Sequence, residues 1–217
     1  MPVMTFAIQF LIPGAVALAV LVIARQPWRA PSTERKVQRV AQPVGAWAGA
    51  WAPALAFVIG YWMIEQRLDF WPDSNLHWLP HAAVFAAIVG QVGCSLPATW
   101  LWRISLSVVL TAGAVFIVRA PGELDVAWVS VLAFCVLGFF LTVDWAASRR
   151  PGISLPLVTV PATFGSSAII LWAGEEQLAR ATANVGAAAF AGTLIAWWRH
   201  RRNPLAVAGG WPAVLAV

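Results

Sequence analysis

Charge divides this chain into seven apolar runs. Residues 4–24, 44–64, 81–102, 104–118, 126–146, 153–173 and 178–198 are almost free of Asp, Glu, Lys and Arg, and the charged residues collect in the short stretches between. About 20 apolar residues in a helix are enough to cross the ~30 Å hydrocarbon core of a bilayer. Lipid offers no partner to backbone N–H and C=O groups, so such a run satisfies them internally as a helix. The pattern predicts an all-α fold: a polytopic transmembrane helix bundle of about seven spans, one transmembrane domain over residues 1–217. Composition agrees, with 60% hydrophobic and 11% charged residues. A soluble domain carries roughly 25% charged residues to cover its surface.

The charges predict an orientation. Residues 1–24 contain no Lys or Arg, so they do not read as a cleavable signal peptide, and Arg25 and Arg29 follow the first run. With the N-terminus outside, eleven basic residues fall on the cytoplasmic side: Arg25, Arg29, Arg35, Lys36, Arg39, Arg103, Arg149, Arg150, Arg199, Arg201 and Arg202. Three fall outside: Arg67, Arg119 and Arg180. The positive-inside rule counts Lys and Arg, so this split decides the orientation. Most of the fourteen tryptophans lie at run ends, where the indole prefers the headgroup level. Trp47 and Trp51 are exceptions, within the second run.

Residues 25–43 read as a cytoplasmic basic segment, either an interfacial helix on anionic headgroups or a solvated linker. The fourth run is short, at about 15 residues, and its flanking Arg103 and Arg119 are expected to snorkel to opposite interfaces. Residues 205–217 are apolar but too few to span. They read as an incomplete eighth span or a re-entrant or interfacial tail. One lysine against thirteen arginines suggests a GC-rich bacterial genome and a multi-pass protein of the bacterial cytoplasmic (inner) membrane.

Small residues mark the expected helix contacts. Gly45 and Gly49 form a GxxxG pair, Gly90 shares a face with Ala86, and Gly186 to Gly192 forms a broad small-residue face. Chemistry-bearing residues are sparse. His77 and His81, with Asp69 and Asp73 nearby, are the metal candidates, since neutral imidazole and carboxylate together suit a divalent ion. Pro80 interrupts a helix there and turns the imidazoles apart, so no metal site is expected. Asp144 is the acid nearest a span interior, where an ionisable residue is a functional candidate, although Arg149 and Arg150 lie within reach as partners. Gln91, Asp144, Ser166, Ser167 and Asn184 are the candidate polar pathway; hydrogen bonds between helices explain the uncharged ones equally well. Cys94 and Cys135 fall inside apolar runs with no metal or disulfide spacing.

No nucleotide, dinucleotide or Ser/His/Asp signature appears, and no catalytic residue or cofactor is expected. The arginines sit beside apolar runs and not in a basic stripe, which argues against nucleic acid. The leading expectation is a non-catalytic integral membrane protein, a subunit or scaffold of a larger membrane assembly. Its partners would be anionic headgroups at the cytoplasmic face and other membrane chains or copies of itself. The alternatives are a small permease or exporter for a neutral or apolar solute, and a lipid-modifying enzyme using the external His/Asp residues.

Overall fold

The computed structural model describes residues 3–23, 47–66, 68, 76–95, 100–118, 126–149 and 154–199. Among them the chain is all-α, with seven α-helices and no strand. These are α1 (Val3–Ile23), α2 (Trp47–Glu65), α3 (Leu79–Ser95), α4 (Trp100–Val118), α5 (Val126–Arg149), α6 (Ser154–Trp172) and α7 (Glu176–Arg199). A 3-10 turn, Leu76–Trp78, leads into α3. The basic segment 25–43, the tail 205–217, Gly45, Asp69 and Asp73 lie outside the described residues.

Local chemistry explains the boundaries. Gly174 ends α6 with φ 92°, a conformation only glycine adopts without cost. Glu175 N–H donates to Ile170 C=O at 3.2 Å and Gly174 N–H to Leu171 C=O at 3.0 Å, which is a Schellman closure. Glu176 then opens α7 with its charge at the positive end of the helix dipole, and pairs with Arg180 one turn on. Pro80 sits in the first turn of α3, where its missing N–H costs nothing.

One boundary differs: α3 is described to Ser95, and residues 100–102, drawn into the third run, open α4. Pro97 lies between them, and a proline disfavours helix in the residue before it. The fourth helix is therefore 19 residues long and takes Arg103 into its first turn, so the argument from a short span falls away. Pro13, Pro53 and Pro161, in contrast, lie inside their helices.

Packing pairs give the topology. Helix α2 is the hub, in contact with α1, α3 and α7; α6 lies on α7, α4 on α3, and α5 on α4. Tyr61 meets His77 while Trp51 meets Gln91, so α2 and α3 run antiparallel. Gly113 faces Phe85 and Gly93 faces Leu106, which makes α3 and α4 antiparallel. Ser167 meets Ala179, and Gly186 meets Thr163, which does the same for α6 and α7. In these pairs neighbours run in opposite directions, and the packing forms a row from α6 through α7, α2 and α3 to α4 and α5, with α1 against both α2 and α7.

The interior is built from small residues. Sixteen of the twenty-four buried apolar residues among those described are alanine. One cluster joins α2, α3, α4 and α5 through Ala54, Phe57, Ala86, Leu110 and Phe140, and a second joins α1, α2 and α7 through Ala17, Ala52 and Ala188. The large apolar side chains point out: Leu11, Val108, Phe134, Ile169, Trp172 and Trp197 are all more than half exposed. Among the described residues one helix, α2, is by itself long and apolar enough to cross a membrane, and 56% of that stretch is buried. Shorter apolar stretches occupy α1, α3, α4, α5 and α6.

Candidate functional site

The groups that carry polar chemistry lie at helix contacts. At one end of the α2–α3 pair the Tyr61 hydroxyl is hydrogen-bonded to His77 Nδ1, with the two rings edge to face at 6.1 Å. Tyr61 is 3% exposed and stacks beside Phe57. At the other end, Trp51 Nε1 donates to Gln91 Oε1 at 2.7 Å. The helical hairpin is therefore pinned at both ends by a ring-bearing residue of α2. Replacing Gln91 with Leu removes the acceptor of the Trp51 indole. A Trp51→Phe/Gln91→Leu double-mutant cycle is expected to give a coupling of roughly 0.5–1.5 kcal/mol, the range of a polar bond between packed helices. Thermal unfolding in mild detergent measures it, and additive single effects would show that the bond contributes nothing.

The histidine cluster is not a set of converging ligands. His77 sits in the 3-10 turn, and His81 follows in the first turn of α3, so they do not share one regular helix face. His77 is engaged by Tyr61; the His81 ring lies 5.2 Å from that of Trp78, and its Nδ1 is buried without a hydrogen-bond partner. Among the described residues no three His, Cys, Asp or Glu side chains come together as a metal would require.

The polar-pathway residues are spread along the row. Gln91 is on α3, Asp144 on α5, Ser166 and Ser167 on α6, and Asn184 on α7. Ser166 is exposed and donates back to Ala162 C=O of its own helix at 2.9 Å. Ser167 donates to Ala179 C=O at 2.6 Å and so ties α6 to α7. Asn184 is 1% exposed, packs against Gly60, and leaves its Oδ1 without a partner. Among the described ones, Gln91 bonds to Trp51, Ser166 and Ser167 to backbone carbonyls, and Asn184 packs on Gly60. The side chain of Asp144 lies outside the described residues.

The small-residue positions lie in the packed interior. Gly49, Gly90, Gly186 and Gly192 are all buried. A Cβ on Gly186 would come within 2.9 Å of Thr163 Oγ1 and 3.0 Å of the Phe164 ring, so this glycine sets the α6–α7 distance. The tightest contacts are at two glycines that sequence reasoning passed over. A Cβ on Gly60 would overlap the Asn184 side chain, and one on Gly113 would overlap the Phe85 ring. Gly60 carries a weak signal, since it continues the stripe of Gly49, Pro53 and Ala56 at helical spacing. Gly113 has none. What this arrangement does is hold helices together.

Comparison of the chain with protein-family models, with curated proteins and with solved structures finds no match.

Proposed function

We propose that this chain is a polytopic membrane protein of the bacterial cytoplasmic membrane, its seven helices all spans. Its role is non-catalytic: it serves as a subunit or scaffold in a larger membrane assembly. One observation carries the reading. The interior is mostly alanine, with glycine at close helix contacts and a few large residues such as Phe57, Leu110 and Phe140. Most of the large leucine, isoleucine, valine, phenylalanine and tryptophan side chains are exposed on the outward faces. In water the driving force puts the large apolar side chains inside. In lipid that force is absent between helices, and small residues that allow close backbone approach hold the bundle. Helix lengths of 17 to 24 residues suit a bilayer, allowing for tilt.

The distribution of charge supports an N-terminus outside. Arg103 begins α4, while Arg149 and Arg199 end α5 and α7, at one end of the row. Glu65, Glu175 and Glu176 lie at the other. The cytoplasmic end then meets anionic headgroups. The scaffold role is supported by α4, α5 and α6, each of which buries one face and leaves the rest uncovered.

The test is topological and then biochemical. In a chain with Cys94 and Cys135 replaced by Ala, a membrane-impermeant thiol reagent on intact cells is expected to label Ser74→Cys and to miss Ser32→Cys. The reverse pattern inverts the orientation, and extraction of the protein by alkaline carbonate rejects the membrane reading. Native mass spectrometry from mild detergent is then expected to show the chain with other chains. A solitary monomer would reject the subunit role.

A further inference from the structure

Glu65 is the last residue of α2, at the end that the proposed topology puts on the external side. Gln66 closes the helix there, with φ 55° and its N–H donating to Trp62 C=O at 2.7 Å. The negative partial charge of the helix gathers at such an end, which favours a cation and disfavours a carboxylate.

The carboxylate has no group to balance it. Glu65 Oε1 is buried and accepts no hydrogen bond. The basic groups described at this end are engaged elsewhere: Arg180 of α7 pairs with Glu176, and His77 bonds to Tyr61. A charged oxygen kept from water without a donor is costly, and a cation that donates hydrogen bonds removes both defects at once. Glu65 is only half-buried, so a ligand reaches the group from outside.

The surroundings select the cation. Trp62 is exposed and lies three residues before Glu65, and residues so spaced are neighbours on a helix surface. An indole at headgroup level attracts a cation through its ring face. No three His, Cys, Asp or Glu side chains converge among the described residues, so the set does not suit a divalent metal. Deeper in, α3, which packs on α2, exposes Ile88 and Val92 to acyl chains. A soluble amine would meet the acid and the indole; a lipid amine also meets the apolar helix surface.

We propose that the external end of α2 binds the headgroup of an amine-bearing phospholipid, phosphatidylethanolamine, with its ammonium on Glu65 and against the Trp62 ring. A primary ammonium brings three N–H donors, which a trimethylated headgroup lacks. The site presupposes the membrane reading and names the lipid engaged on the external leaflet.

The experiment uses the full chain, purified in mild detergent, stripped of lipid and returned to phosphatidylethanolamine, phosphatidylcholine or phosphatidylglycerol. Native mass spectrometry counts the lipids retained, and thermal unfolding reads their effect. Phosphatidylethanolamine is expected to be retained several-fold over the other two and to raise the midpoint further. Glu65→Gln keeps the side-chain shape and removes the charge; it is expected to fold as well without lipid and to lose the preference. Glu65→Asp, shorter by one methylene, should weaken the preference and serves if the glutamine variant does not accumulate. Glu175→Gln, at an exposed acid of the same end, should leave it unchanged. The site is rejected if phosphatidylcholine is retained equally, if Glu65→Gln keeps the preference, or if free ethanolamine raises the midpoint as far. Extraction by alkaline carbonate overturns the membrane reading itself, whereas a chain that stays in the membrane and shows no lipid preference overturns only this site.

Discussion

Gly60→Ala is expected to destabilise the protein and Gly60→Leu to leave no folded protein, while removing the Asn184 side chain restores the alanine variant. The Cβ of an alanine at position 60 would overlap the Asn184 amide and come within 2.9 Å of its Cβ. Asn184 is short and 1% exposed, so it has little room to swing aside. Overpacking of this kind costs about 1–3 kcal/mol. Against it stands the gain of roughly 1 kcal/mol for replacing a helical glycine with alanine. The steric cost dominates because the deepest overlap is with the Asn184 amide, which is held in a buried site with nowhere to swing.

Asn184→Ala by itself is expected to be neutral or stabilising, because the Oδ1 it removes is buried without a partner. In the Gly60→Ala/Asn184→Ala chain the overlap with the amide disappears, the 2.9 Å Cβ contact is all that has to be relieved, and most of the loss is recovered. The double-mutant cycle should therefore show a coupling of more than about 1 kcal/mol. Thermal unfolding in detergent would read it as several degrees, since 1 kcal/mol shifts the midpoint by roughly 2–4 °C in a chain of this size. Additive single effects would show that α2 and α7 are not in contact at this point.

Gly113→Leu is expected to act locally. The Phe85 ring fills the space beside Gly113, so a leucine there forces α4 away from α3. Helix α5 rests on α4, so the two are released together. A wedge costing about 1–3 kcal/mol raises the open population some 5- to 150-fold. Amide hydrogen exchange in α4 and α5 should accelerate by that factor, while α1, α2 and α7 keep their protection. Phe85→Ala in the same chain makes room for the leucine and is expected to recover most of the protection. Uniform acceleration across all helices would show that the row is one cooperative unit and that α4 is not its weak joint.

The two glycines illustrate where sequence stops being informative. The seven helices were legible because charge placement is a one-dimensional signal: a charged or proline-rich stretch ends a helix whatever the helix packs against. The α6–α7 turn was legible at Gly174 for the same reason, since a positive φ is a local demand. The α3–α4 boundary was less legible, because residues 96–102 are apolar enough to continue a run. Gly49, Gly90, Gly186 and Gly192, which stand out in sequence by small-residue spacing, are buried in the structure.

The candidate site was much less legible. His77 and His81 look alike in sequence, and only the packing of α2 on α3 gives one a tyrosine hydroxyl and leaves the other beside a tryptophan ring. Asn184 reads as a mid-helix polar group in sequence; its burial against Gly60 depends on the register between α2 and α7. By itself the sequence determined that this chain is helical, where its helices lie, and that small residues line their contacts, because all three follow from local hydropathy and backbone preference. Only the tertiary structure decided which helix is the hub, which glycines touch, and that α5 packs on α4 and α6 on α7. Those depend on distances between residues far apart in the chain, which no local pattern encodes.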